Sequence, residues 1–169
     1  MAMVGLFWIT EDCVYVGTEP VGTASGVRLT EHGVEALGVD HGTSWNWSEV
    51  RRIEARDVAV RSAARRLASV AFDSLIVLVT GDGVLPPAYT VRVEPVADDA
   101  DPVDVSVHSA VSGGIYTPEE YDLSRTLLEH LTDGRTPLTD LLAWRRDHAT
   151  ESTPPREERE ALLRKWTGG

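Results

Sequence analysis

Six arginines, Arg51, Arg52, Arg56, Arg61, Arg65 and Arg66, lie between residues 51 and 66 against only Glu54 and Asp57, a local excess of four positive charges in a chain whose net charge is −11. Guanidinium groups gathered in this way can hold phosphates, anionic lipid headgroups or an acidic partner, because each offers a fork of donors. The same groups can equally neutralise acidic loops of their own chain, the usual fate of a surface charge run. Asp98, Asp99, Asp101 and Asp104 raise the question of calcium. The spacing does not fit an EF-hand, since no glycine stands at the sixth position and no glutamate at the twelfth counting from Asp98 or Asp99. A solvated acidic loop is the expectation.

The five histidines, His32, His41, His108, His130 and His148, are scattered, and no pair has the i, i+4 spacing of a helical zinc site. Triad chemistry would need His41 or His108 to meet a serine in space, and no Gly-x-Ser-x-Gly elbow exists. Cys13 is the only cysteine, so one chain can form neither an internal disulfide nor a thiolate cluster. Gly22 to Gly26 is not followed by a helical pattern and does not read as a phosphate cradle. No catalytic, metal or cofactor site is expected. Trp45 and Trp47 are candidates of another kind, because aromatic faces give a groove rigid contact area. On a regular strand the two rings point to one side, where they pack under a sheet or line a cavity together with Tyr89 and His108.

The elements that position these residues are mostly strands. Leu6 to Thr10 and Cys13 to Thr18 flank Glu11-Asp12 and read as a hairpin. Pro20 to Gly26 is a loop. Val27–Leu29 and Val34–Leu37 form a second hairpin around Glu31-His32-Gly33, with Gly33 expected to supply a positive φ. Val50 to Val60 reads as extended, Ser62 to Ala68 has helix-forming composition, and Val70 to Thr80 reads as a central strand covered on both faces. Ala88 to Glu94 and Val103 to His108 alternate as strands with one wet face, joined by the acidic loop from Val96 to Pro102.

Helical signals follow. Thr117-Pro118-Glu119-Glu120 supplies a cap, a proline at the first position and a capping-box glutamate, and Tyr121, Ser124, Leu127, Leu128 and Leu131 make one stripe ending at Gly134. Thr136-Pro137 opens a second helix with Leu138, Leu141, Leu142 and Trp144 inward. His148 to Pro155 reads as a linker, and Arg156 to Trp166 as a last amphipathic stretch whose Leu162, Leu163 and Trp166 must be covered by this chain, a second copy or a partner, being too short to stand alone.

At 169 residues, with 42% hydrophobic and 25% charged residues, the chain suits one core of ordinary globular composition. The 27 acidic against 16 basic residues disfavour binding to nucleic-acid phosphates. No run reaches the ~18 apolar residues of a membrane span, and the first residues, without a basic leader, do not read as a signal peptide. A cytoplasmic protein is expected, and Lys165 as the sole lysine goes with a GC-rich, bacterial coding sequence.

The Gly33-Val34-Glu35-Ala36-Leu37 strand, the reversal through Gly42 and the segment Trp45-Asn46-Trp47-Ser48-Glu49-Val50-Arg51-Arg52-Ile53 together resemble the pleckstrin-homology superfold and its bacterial PH-like and GRAM-like members. The resemblance covers roughly residues 4 to 133. It implies an α+β, mainly β fold: a small antiparallel barrel or sandwich of about seven strands, capped by a C-terminal helix. The expected division is a β-rich domain over 1–133 and a helical extension over 134–169 with its linker at 148–155, adding two short helices. Such domains mostly act by binding, and the acidic turn Glu11-Asp12 argues against a lipid phosphate at the first hairpin. The function expected is a non-catalytic protein-interaction or scaffold module, binding a protein partner or a second copy. A small-ligand pocket or enzyme site near Trp45 and Trp47, and peripheral recruitment to anionic membranes through the arginines, are the alternatives.

Overall fold

Short β-branched and aromatic runs follow one another over the first 46 residues, and each run pairs with the next. In the computed structural model, which describes residues 1–38, 42–61, 87–111, 114–149 and 152–168, β1 (Ala2–Val4), β2 (Phe7–Ile9), β3 (Val14–Val16), β4 (Gly26–Leu29), β5 (Gly33–Leu37) and β6 (Ser44–Asn46) form an antiparallel meander in chain order. The strand expected within 70–80, the helical turn at 62–68, His41, Arg65 and Arg66 lie outside the described residues.

Register places Val14 opposite Leu29, Val16 opposite Val27, and Leu29 opposite Val34, so these side chains line one buried face. The other face carries the row Trp8, Tyr15, Arg28 and Glu35. There Arg28 Nε donates to Glu35 Oε2 at 2.8 Å, and this bond keeps the guanidinium above its ordinary pKa. The expected hairpins at Glu11-Asp12 and Glu31-His32 are both present, the first closed by Thr10 N–H donating to the Cys13 carbonyl at 2.9 Å. β1 is an addition, folded back on β2 through Gly5-Leu6.

A second antiparallel sheet holds β7 (Val50–Arg56), β8 (Ala88–Pro95) and β9 (Val103–His108). Tyr89, Val91, Val93, Val105 and Val107 are buried, as their alternation predicts. β7 is shorter than expected. It stops at Arg56 because Asp57 turns to a left-handed φ of 58°, and Val60 then makes a parallel bridge to Tyr116.

Of the expected barrel or sandwich of about seven strands, the closed barrel is not formed: nine described strands lie in two antiparallel sheets that do not close. At one seam Thr18 N–H donates to the His108 carbonyl at 2.9 Å and Ser25 Oγ to the Ser106 carbonyl at 2.6 Å, tying β9 to the chain around β3 and β4. At the other, a 3₁₀ turn over Trp47–Glu49 carries the chain out of β6 before β7 begins. The helix α1 (Pro118–Thr132) lies against β7 there, Tyr121 donating to the Ala55 carbonyl at 3.3 Å.

Thr117 caps α1 by accepting the Glu120 N–H at 3.1 Å. Glu120, read as the capping-box partner, is buried and receives Arg159 Nε at 2.7 Å. The helix α2 (Leu138–Asp147) follows a tight corner and contacts β2, while α3 (Arg156–Thr167) packs on α1 and β1. One apolar cluster runs through both sheets and all three of these helices.

Candidate functional site

The arginines are placed first by strand alternation. Arg52, Glu54 and Arg56 share the outer face of β7, opposite Glu94, Arg92 and Thr90 of β8, and Arg92 in turn faces Asp104 of β9. Arg56 donates to Glu54 at 2.7 Å, Arg52 lies 3.7 Å from the same carboxylate, and Arg92 donates to Asp104 at 2.8 Å. The hydrogen bond from Arg56, joined by the charge of Arg52, lowers the pKa of Glu54. Arg51 turns to the acidic loop and meets Asp98 at 2.8 Å and the Val96 carbonyl at 2.8 Å. Arg51, Arg52 and Arg56 are thus paired with this chain's own carboxylates, and Arg61 stands exposed at the end of the segment. Among the described residues the sheet's outer face alternates in sign.

The two tryptophans do not share a side. Trp45 lies on β6 opposite Val34, but Trp47 is the first residue of the 3₁₀ turn, whose rotation breaks the strand alternation. Trp45 borders a cleft of about 160 Å³ with His32, Glu35 and Asn46. Trp47 lines a different one. Tyr89 belongs to neither, being buried edge-on to Tyr116 with ring centroids 6.5 Å apart, so the cavity expected from Trp45, Trp47, Tyr89 and His108 is not assembled. Burial holds the Tyr89 phenol well above its ordinary pKa, with the neighbouring Tyr116 adding to the effect.

The cleft beside Trp47 has a volume of about 420 Å³. One wall is the β4–β5 turn and the 3₁₀ turn, with Glu31, Trp47 and Ser48; the other is the corner from Leu131 to Thr139 that joins α1 to α2. Trp47 Nε1 donates to the Thr30 carbonyl at 2.9 Å, which fixes the indole against the turn carrying Glu31. The 3₁₀ turn is itself held by Glu49, whose carboxylate accepts the Asn46 N–H at 2.8 Å. Gly134, at φ 72°, ends α1, and Pro137 enters α2, so the corner is short and keeps Leu131 and Leu138 beneath the cleft. Leu131, Pro137 and Leu138 give it an apolar lining; Glu31 and Asp133 are its charged members.

Of the expected contact residues, Leu163 and Trp166 are buried within this chain and Leu162 half-buried. Trp166 meets Trp144 edge-on at 5.7 Å, and its carbonyl accepts Thr136 Oγ1 at 2.6 Å. Leu163 reaches Gly5 in the β1–β2 turn. This chain therefore covers the last helix itself. Among the described residues no group of three or more His, Cys, Asp or Glu is placed to hold a metal ion, and no helix is long and apolar enough to cross a membrane. Comparison with protein-family models, curated proteins and solved structures finds no match in any of the three.

Proposed function

We propose that the chain is a non-catalytic, PH-like protein-interaction module of a bacterial cytoplasm, and that the cleft between the Trp47 turn and the α1–α2 corner is its contact surface. One observation supports this above the rest: a tryptophan held by a hydrogen bond borders an open apolar cleft whose floor is the helix corner. A pre-oriented aromatic anchor of this kind is what protein interfaces use, since little side-chain entropy remains to be lost on binding. Of the expected arginine surface, by comparison, Arg51, Arg52 and Arg56 are engaged with carboxylates of their own chain.

Site-specific photocrosslinking tests the reading. With a photoreactive benzophenone amino acid at Ser48, in living cells of the natural host, a discrete protein adduct is expected. The same probe at Asp101, in the acidic loop on the second sheet, should give none. Identical adducts from both positions, or none from Ser48, would overturn the assignment.

A further inference from the structure

We infer that the partner presents a lysine or arginine, flanked by apolar residues, to the cleft beside Trp47; this rests on the cleft being the contact surface. The charged side chains lining it are both acidic, Glu31 and Asp133. Asp133 already holds Arg135 at 2.7 Å, whereas Glu31 stands exposed in its turn without an ion pair among the described residues. Thr30, the residue before Glu31, is the one that accepts Trp47 Nε1–H, so indole and carboxylate are brought to the same turn.

A cation between an aromatic face and a carboxylate gains from both, and more so where apolar walls exclude water. The hydrocarbon stem of lysine or arginine suits a path along Leu131, Pro137 and Leu138. The C-terminal end of α1 opens on the same cleft and adds the negative end of its dipole, while the first turn of α2, further along the same wall, suits a backbone carbonyl of the bound segment. A net charge of −11 favours the approach of a basic segment from further off.

The full-length protein carries five tryptophans, so its indole N–H signals can be resolved by NMR and that of Trp47 assigned with Trp47→Phe. The probes are acetyl-Leu-Lys-Leu-amide and the same peptide with norleucine for lysine. The lysine peptide should shift the Trp47 signal saturably, and the norleucine peptide should bind about tenfold more weakly. Glu31→Gln should weaken the lysine peptide severalfold toward the norleucine peptide and leave the latter unchanged. Equal affinity for the two, a shift centred on Trp45, or no shift with either would overturn the inference. Adducts at Ser48 combined with any of these would leave the contact surface standing and remove only the basic residue. Their absence would remove both.

Discussion

At the scale of single residues, Gly33 was expected for its freedom at positive φ, and it is required for another reason. Its φ is not in the left-handed region; the backbone of β6 passes so close that a Cβ would overlap the Trp45 carbonyl. Gly33→Ala should therefore push β6 away from β5, costing about 2 kcal/mol or more in denaturant unfolding, and should disturb the Trp47 turn that follows. A residue that needed only φ freedom would be rescued by asparagine, and Gly33→Asn should be no better than alanine. Tyr89 makes a second case. Its hydroxyl is buried with no hydrogen-bond partner among the described residues, and burial raises its pKa well above about 10. Unfolded chains release that proton near pH 10 while the folded protein keeps it, so the stability Tyr89 lends is whole below pH 10 and lost as pH rises beyond it. Tyr89→Phe should leave neutral-pH stability within about 1 kcal/mol of the parent and flatten the alkaline decline followed by circular dichroism.

At the scale of elements, α3 is fastened by one buried ion pair as well as by Leu163 and Trp166. Arg159 donates to Glu120 at 2.7 Å and to the Pro154 carbonyl at 3.0 Å, with side-chain exposures of 13% and 3% for Arg159 and Glu120. Glu120→Ala leaves a guanidinium uncompensated in the interior and should cost about 3 kcal/mol or more, while Glu120→Leu with Arg159→Met should recover most of that loss. Equal destabilisation by the single and double variants in urea titrations would show packing, and not the buried charge, to be responsible. The elements differ in how far their residues announced them. α1 was readable from Thr117-Pro118 and its leucine stripe because cap, first turn and apolar period are local signals. The role of Glu120 was hidden because its partner lies 39 residues away. β1 went unread, since a three-residue strand joined to the next through Gly5-Leu6 gives no polar break. The alternation of Trp45 and Trp47 misled for a related reason: a 3₁₀ turn of three residues leaves no periodic trace, yet it rotates one ring away from the other.

At the scale of the whole molecule, the two sheets, their open seams and the filling helices decide which surfaces are left for contact. The mainly β fold with packed helices was legible in advance, but the cleft was not, because its walls join residues 31, 47 and 131–139 through pairings no local pattern records. Gly134 and Pro137 were visible only as the boundaries of two helices, although together they make the corner that forms the far wall. Charge organisation also belongs to this scale. The stretch from Arg51 to Arg66 carries four excess positive charges as a sequence, but in the fold Asp98 reaches Arg51 from a distant loop, Glu54 sits beside Arg56 on the same strand, and on the same sheet Arg92 is met by Asp104. Exposed pairs of this kind contribute little to stability, about 0–1 kcal/mol each, yet each one reduces the field a membrane would feel. With a net charge of −11 behind them, the protein should not be retained by vesicles of phosphatidylcholine and phosphatidylserine, even at low ionic strength where screening is weakest. Flotation of vesicles with the purified chain measures this directly. Retention that fades as salt is raised would mean that the arginines act together on a surface despite their partners, and Asp98→Asn, which frees Arg51, should then strengthen it.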